Sequence, residues 1–118
     1  MYEKDRVAGQ AEFDKFEYLS PMLDSALAEM REFSKRKHDG IVSEMKIKIL
    51  NRILSDIREI LSGEETVTYL DPLDEQDLPQ NSDAVLVLGQ YRAAFDSFKH
   101  GHQEIGSWVT RRRRSARG

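Results

Sequence analysis

Cysteine is absent from the chain. That excludes disulfide frameworks, thiolate zinc sites, iron–sulfur ligation and cysteine nucleophiles together. Glycine and proline are scarce, at seven and three residues of 118, and the glycines are scattered as punctuation. No phosphate-binding loop, dinucleotide fingerprint, nucleophile elbow or His-Glu-x-x-His helix can be written from them. Long apolar runs are also missing, since none approaches the ~20 residues that a membrane-spanning helix requires. The start, Met1-Tyr2-Glu3-Lys4-Asp5-Arg6, is charged and leads into no apolar segment, so the expected setting is cytoplasmic, without membrane attachment. No internal repeat of 20–50 residues is visible, which argues against a solenoid.

Histidine is equally thin. His100 and His102 flank Gly101 as a possible pair of metal ligands, but no third ligand stands at a readable spacing. With His38 they are explained as solvated helix termini. The expectation is a protein that is not an enzyme and needs no cofactor or metal.

What the chain does contain is charge and helical periodicity. It is 39% hydrophobic and 33% charged, with a net charge of −3, a balance suited to one helix-rich globular domain. The charge is divided along the chain. Residues 64–83 hold seven acids (Glu64, Glu65, Asp71, Asp74, Glu75, Asp77 and Asp83) and no Lys or Arg, whereas residues 99–118 hold Lys99, Arg111, Arg112, Arg113, Arg114 and Arg117 against Glu104 alone.

The segment 41–62 organises the rest. At ~100° per residue, Val42, Met45, Ile49, Leu50, Leu54, Ile57, Ile60 and Leu61 fall within about 100° on either side of Ile53. That arc is too wide for a single coiled-coil seam, so the helix is expected to be the central apolar element, packed on two sides. Seven of its residues are isoleucine or valine, which favour strands, but the long 3.6-residue period outweighs propensity. Gly63 suits a helix end at positive φ. Lys46 projects from within the apolar arc. Either its stem lies on the core with the amine in water, or the amine meets a ligand anion or a partner carboxylate.

Upstream, residues 1–12 read as a flexible leader, and Phe13, Phe16, Tyr18 and Leu19 as a short approach segment. Ser20-Pro21 resembles an N-cap followed by a first-turn proline. Leu23, Ala26, Leu27, Met30 and Phe33 then form an i, i+3, i+4 stripe that predicts a helix over 20–38, antiparallel to the next. The run Lys35-Arg36-Lys37-His38 suits the negative end of that helix as well as it suits a phosphate patch.

Downstream, Thr66-Val67-Thr68-Tyr69 alternates in the manner of a short strand. Asp71, Asp74, Glu75 and Asp77 follow in an acidic connector that lacks the glycine and terminal glutamate of an EF-hand. Ala84, Val85, Leu88, Tyr91, Phe95 and Phe98 predict a third helix over 82–100. The globular domain is therefore placed at 13–100, with a basic C-terminal tail at 101–118.

The sequence thus predicts an all-α fold of three principal helices in a small bundle, completed by homodimerisation because three helices cannot cover so wide an apolar arc. The expected function is that of a non-enzymatic protein-interaction module, an adaptor, inhibitor or small regulator of an unidentified protein partner. Its candidate contacts are Lys46, Asp71, Asp74, Glu75, Asp77 and Trp108. The alternative is a nucleic-acid-binding regulator, with Arg111, Arg112, Arg113, Arg114 and Arg117 on phosphates and Trp108 as a stacking surface.

Overall fold

The computed structural model describes the backbone of residues 9–111 and side chains as far as Gly101. Three helices make up the fold, α1 Gln10–Arg36, α2 Glu44–Ile60 and α3 Asn81–Arg111, with a 3₁₀ segment at Glu65–Tyr69 between the last two. No strand is present among the described residues, only an isolated bridge between Ile41 and Gln80.

Residue pairs fix the directions of the helices. Lys15 reaches Glu59 at one end of the α1–α2 pair and the Lys46 amine sits over Phe33 at the other, so α1 and α2 are antiparallel. Phe16 lies against Phe95 and Phe98, and Arg92 meets Ser20 and Asp24, so α3 is also antiparallel to α1. Helices α2 and α3 therefore run the same way, and residues 61–80 must return along the bundle.

That return is strapped down at several levels. The Tyr91 hydroxyl donates to the Asp71 carbonyl at 2.9 Å. Asn51 pairs with both backbone groups of Leu73. The Val42 amide donates to the Pro79 carbonyl, and the Asn81 amide to the Gly40 carbonyl. Leu70 and Leu73 are buried, with Val67 and Leu78 packed beside them. The strap thus acts as a fourth layer over the α2–α3 seam.

Several expectations are corrected. The first helix begins at Gln10, not at Ser20, and Pro21 lies inside it. Pro21 removes one rung of the hydrogen-bond ladder, a loss of roughly 3 kcal/mol in a helix interior. Burial of Phe16 and Leu19 offsets it, at about 1.5–3 kcal/mol for each large apolar side chain. Glu12 reaches back to the Gly9 amide at 2.7 Å and closes the new N-terminus. The alternating threonines of 66–69 form 3₁₀ turns instead of a strand, because no neighbouring strand offers a ladder. α3 continues through Gly101 to Arg111, past the expected end at His100. Gly63 does not adopt a left-handed φ; the end of α2 is secured by the Leu61 amide on Ile57 and the Glu64 amide on Leu61.

The central position also moves. α1, not α2, packs along both other helices to the greatest extent, since the strap stands between much of α2 and α3. The buried line of α2 is Ile47, Leu50, Leu54, Ile57 and Ile60. It is rotated by roughly 60° from the arc centred on Ile53. Ile47 is wholly buried, while Met45 is 73% and Ile49 54% exposed.

Candidate functional site

That rotation leaves an apolar flank of α2 uncovered. Together with α1 it forms a groove of about 460 Å³, with Pro21, Met22, Ser25, Ala26, Glu29 and Met30 on the α1 wall and Lys46, Ile49, Leu50 and Ile53 on the α2 wall. Met22 is 46% exposed at its rim. Such a volume and mostly apolar lining fall in the range of binding clefts. An apolar strip left in water forgoes part of the stabilisation its burial would bring.

The α1 wall arises from a second stripe. Met22, Ala26 and Glu29 stand at i, i+4 and i+7, one ridge away from the core stripe of Leu23, Leu27 and Met30. Sequence reasoning placed Ile49 and Lys46 on an apolar face but passed over Met22 and Glu29. The available signal was a methionine adjoining the core stripe.

Lys46 lies at one end of the groove. Its backbone amide donates at 3.2 Å to the hydroxyl of Ser43, the N-cap of α2. Its ammonium stands 3.5 Å from the centroid of the Phe33 ring, a cation–π geometry worth about 0.5–1 kcal/mol at an exposed site. The stem is half-buried, and no carboxylate of the described residues pairs with the amine.

The acidic connector is brought against the opposite flank of α2. Asp71, Asp74, Glu75 and Asp77 are exposed, and among the described residues no three metal-ligating side chains converge. Asp74 is engaged locally. The Asp77 and Gln76 amides donate to its Oδ1, at 3.0 and 2.8 Å, and in that order hold its carboxyl below the usual aspartate range. Glu75 approaches the Asn51 amide nitrogen at 3.4 Å. A polar cleft lies here, lined by Lys48, Asn51, Arg52, Ser55, Asp56 and Glu75. Its mixed charges select no ligand of one sign.

Behind the strap, Arg58 Nη1 donates to the Tyr91 hydroxyl at 2.5 Å. Burial raises the Tyr91 phenol above its ordinary value, and the adjacent Arg58 partly opposes that rise. A third, shallow groove is lined by Thr66, Tyr69, Leu70, Gln90, Ala93, Ala94 and Ser97, with Tyr69 exposed at its edge.

The proposed tail contacts lie outside the described side chains. Trp108 and Arg111 belong to the last turns of α3, beyond the described side chains. Arg112, Arg113, Arg114 and Arg117 lie outside the described residues. No described helix is long and apolar enough to cross a membrane. No family model, curated protein or solved structure matches the chain.

Proposed function

We propose that the chain is a non-enzymatic helical interaction module whose principal contact face is the α1–α2 groove. The carrying observation is the open apolar strip of Met22, Ile49 and Ile53 along that groove, beside the buried core line of Leu23, Leu27, Leu50 and Leu54. A helix face of this kind is met by protein, since a partner helix removes the strip from water along its length. The module works as an adaptor, inhibitor or small regulator in the cytoplasm. It assembles as a homodimer and turns the acidic strap, with Asp71, Asp74, Glu75 and Asp77, outward to a protein partner.

Copurification of the full chain under mild conditions tests the reading, with Ile49→Glu as the control. An assembly formed by the wild type and lost in Ile49→Glu supports it. Recovery of both as lone chains of 13.6 kDa contradicts it.

The second reading is a regulator that contacts nucleic acid through Arg111–Arg114, Arg117 and Trp108. It is favoured by one observation, that α3 carries helical backbone through Trp108 to Arg111, which starts the arginine run on a helix. A truncation after Thr110, titrated against short DNA and RNA at two salt concentrations, tests it. Loss of a steeply salt-dependent affinity on truncation supports this reading; no binding by the full chain at low salt ends it.

A further inference from the structure

The groove carries charge as well as apolar surface, and the placement of that charge names its occupant. Glu29 is on the α1 wall and Lys46 on the α2 wall. The antiparallel hairpin, pinned by Lys15–Glu59 at one end and Lys46–Phe33 at the other, sets Glu29 about one helical turn from the height of Lys46, within reach of two long side chains. At the far end of the groove Met22 stands level with Ile53. The Glu29 carboxylate makes no hydrogen bond or ion pair with any described residue, and the Lys46 ammonium has only the Phe33 ring. Opposite charges therefore line the two walls within about one turn of each other without satisfying each other.

We infer that the groove is filled by the same groove of a second copy of this chain, about a two-fold axis running along it, with Glu29 of each copy paired to the partner's Lys46. Rotation about that axis exchanges the two walls while preserving height. Each Glu29 then lies within about one turn of a Lys46, a gap the two long side chains span, and each Met22 comes level with an Ile53, so charge meets charge and apolar surface meets apolar surface. The same operation lays each α1 beside the partner's α2 in the antiparallel sense. All neighbours in the resulting four-helix layer run in opposite directions, and helix ends of opposite partial charge adjoin. The contact is isologous, which closes the assembly at two copies. An unrelated acidic or basic helix would satisfy only one wall.

This inference rests on the groove being the contact face proposed above, and a charge exchange separates the two claims. Glu29→Lys and Lys46→Glu each place like charges at both pairings, so each variant alone should dimerise at least about tenfold more weakly than the wild type. Mixed in equal amounts they restore both pairings. Sedimentation equilibrium should then return dimer, and native mass spectrometry should show it to be the mixed species. Circular dichroism of each variant confirms that the bundle is intact, as expected for two side chains outside the core. A dimeric wild type whose single variants dimerise equally well, or whose mixture stays monomeric, overturns this arrangement and leaves the contact face standing. A wild type that stays monomeric yet captures a partner helix lost in Ile49→Glu overturns the second copy as occupant only. A monomeric wild type with no such partner overturns both.

Discussion

Asn51 and Leu73, 22 residues apart, pair as two peptide groups would. The Asn51 carboxamide accepts the Leu73 amide at 2.9 Å and donates to the Leu73 carbonyl at 2.8 Å. One side chain on α2 thus satisfies both backbone groups of a strap residue that has no secondary structure to do so. Asn51→Ala leaves the pair half-buried and unmet, a loss of about 1–3 kcal/mol. Urea denaturation should show the lower midpoint, and hydrogen exchange the faster Leu73 amide. Asn51→Asp keeps the acceptor and loses the donor, so it should also destabilise the fold.

Gly40 and Asn81 make a second long-range pairing, where close approach forbids a side chain. A Cβ on Gly40 would lie 2.9 Å from Asn81 Nδ2 and 3.3 Å from the Lys37 carbonyl, the same carbonyl that Asn81 caps at 2.8 Å. Gly40→Ala should therefore destabilise the fold. In an Asn81→Ala background its added effect should be smaller, because the colliding amide is gone. Thermal melts of the four-member cycle measure the coupling, expected within about 0.5–3 kcal/mol for residues in contact.

Arg92 joins α3 to α1 at Ser20, next to the helix-breaking Pro21. Its Nη1 reaches the Ser20 hydroxyl at 3.1 Å, its carbonyl at 3.3 Å and Asp24 at 2.8 Å, while Nε and Nη2 hold Asp96. The guanidinium side chain is 17% exposed, but Asp24 and Asp96 are mostly in water, so the ion pairs themselves weigh little. Asp24→Asn and Asp96→Asn should each change stability by less than about 1 kcal/mol. Arg92→Lys should cost more, since an ammonium cannot reproduce the fork that reaches both sides.

Alkaline titration should single out Tyr91. Its folded-state phenol is raised above the ordinary value of 10.0, so folding favours the neutral form. That contribution is fully present below the ordinary value and is lost as pH rises through the folded one. Ultraviolet titration of tyrosinate should show a late-ionising component that is missing in Tyr91→Phe. The variant's stability should fall less steeply with alkaline pH.

The bundle was legible in the sequence because periodicity survives without knowledge of neighbours. Leu23, Leu27 and Met30 on α1 and Leu88, Tyr91, Phe95 and Phe98 on α3 are buried as their spacing predicts. What escaped depended on partners distant in the chain. Pro21 looked like a helix start because nothing local shows Phe16 packed on Phe95 and Phe98 of α3. The arc of α2 looked centred on Ile53 because nothing local shows the strap that binds the Asn51 side of α2 through Leu73 and is tied to α3 through Tyr91. The apolar face with Lys46 on it was legible; its α1 wall was not, since Met22 acquires meaning only beside Ile49.

The most direct measurement is sedimentation equilibrium of the full chain across micromolar concentrations, with Ile49→Glu in parallel. Ile49 is more than half exposed, so its replacement spares the core and reports on the groove. Pairing of two copies through the groove predicts a wild-type mass of twice 13.6 kDa and a folded, monomeric Ile49→Glu. A wild type that remains at 13.6 kDa throughout, or a variant that dimerises as tightly as the wild type, would contradict it.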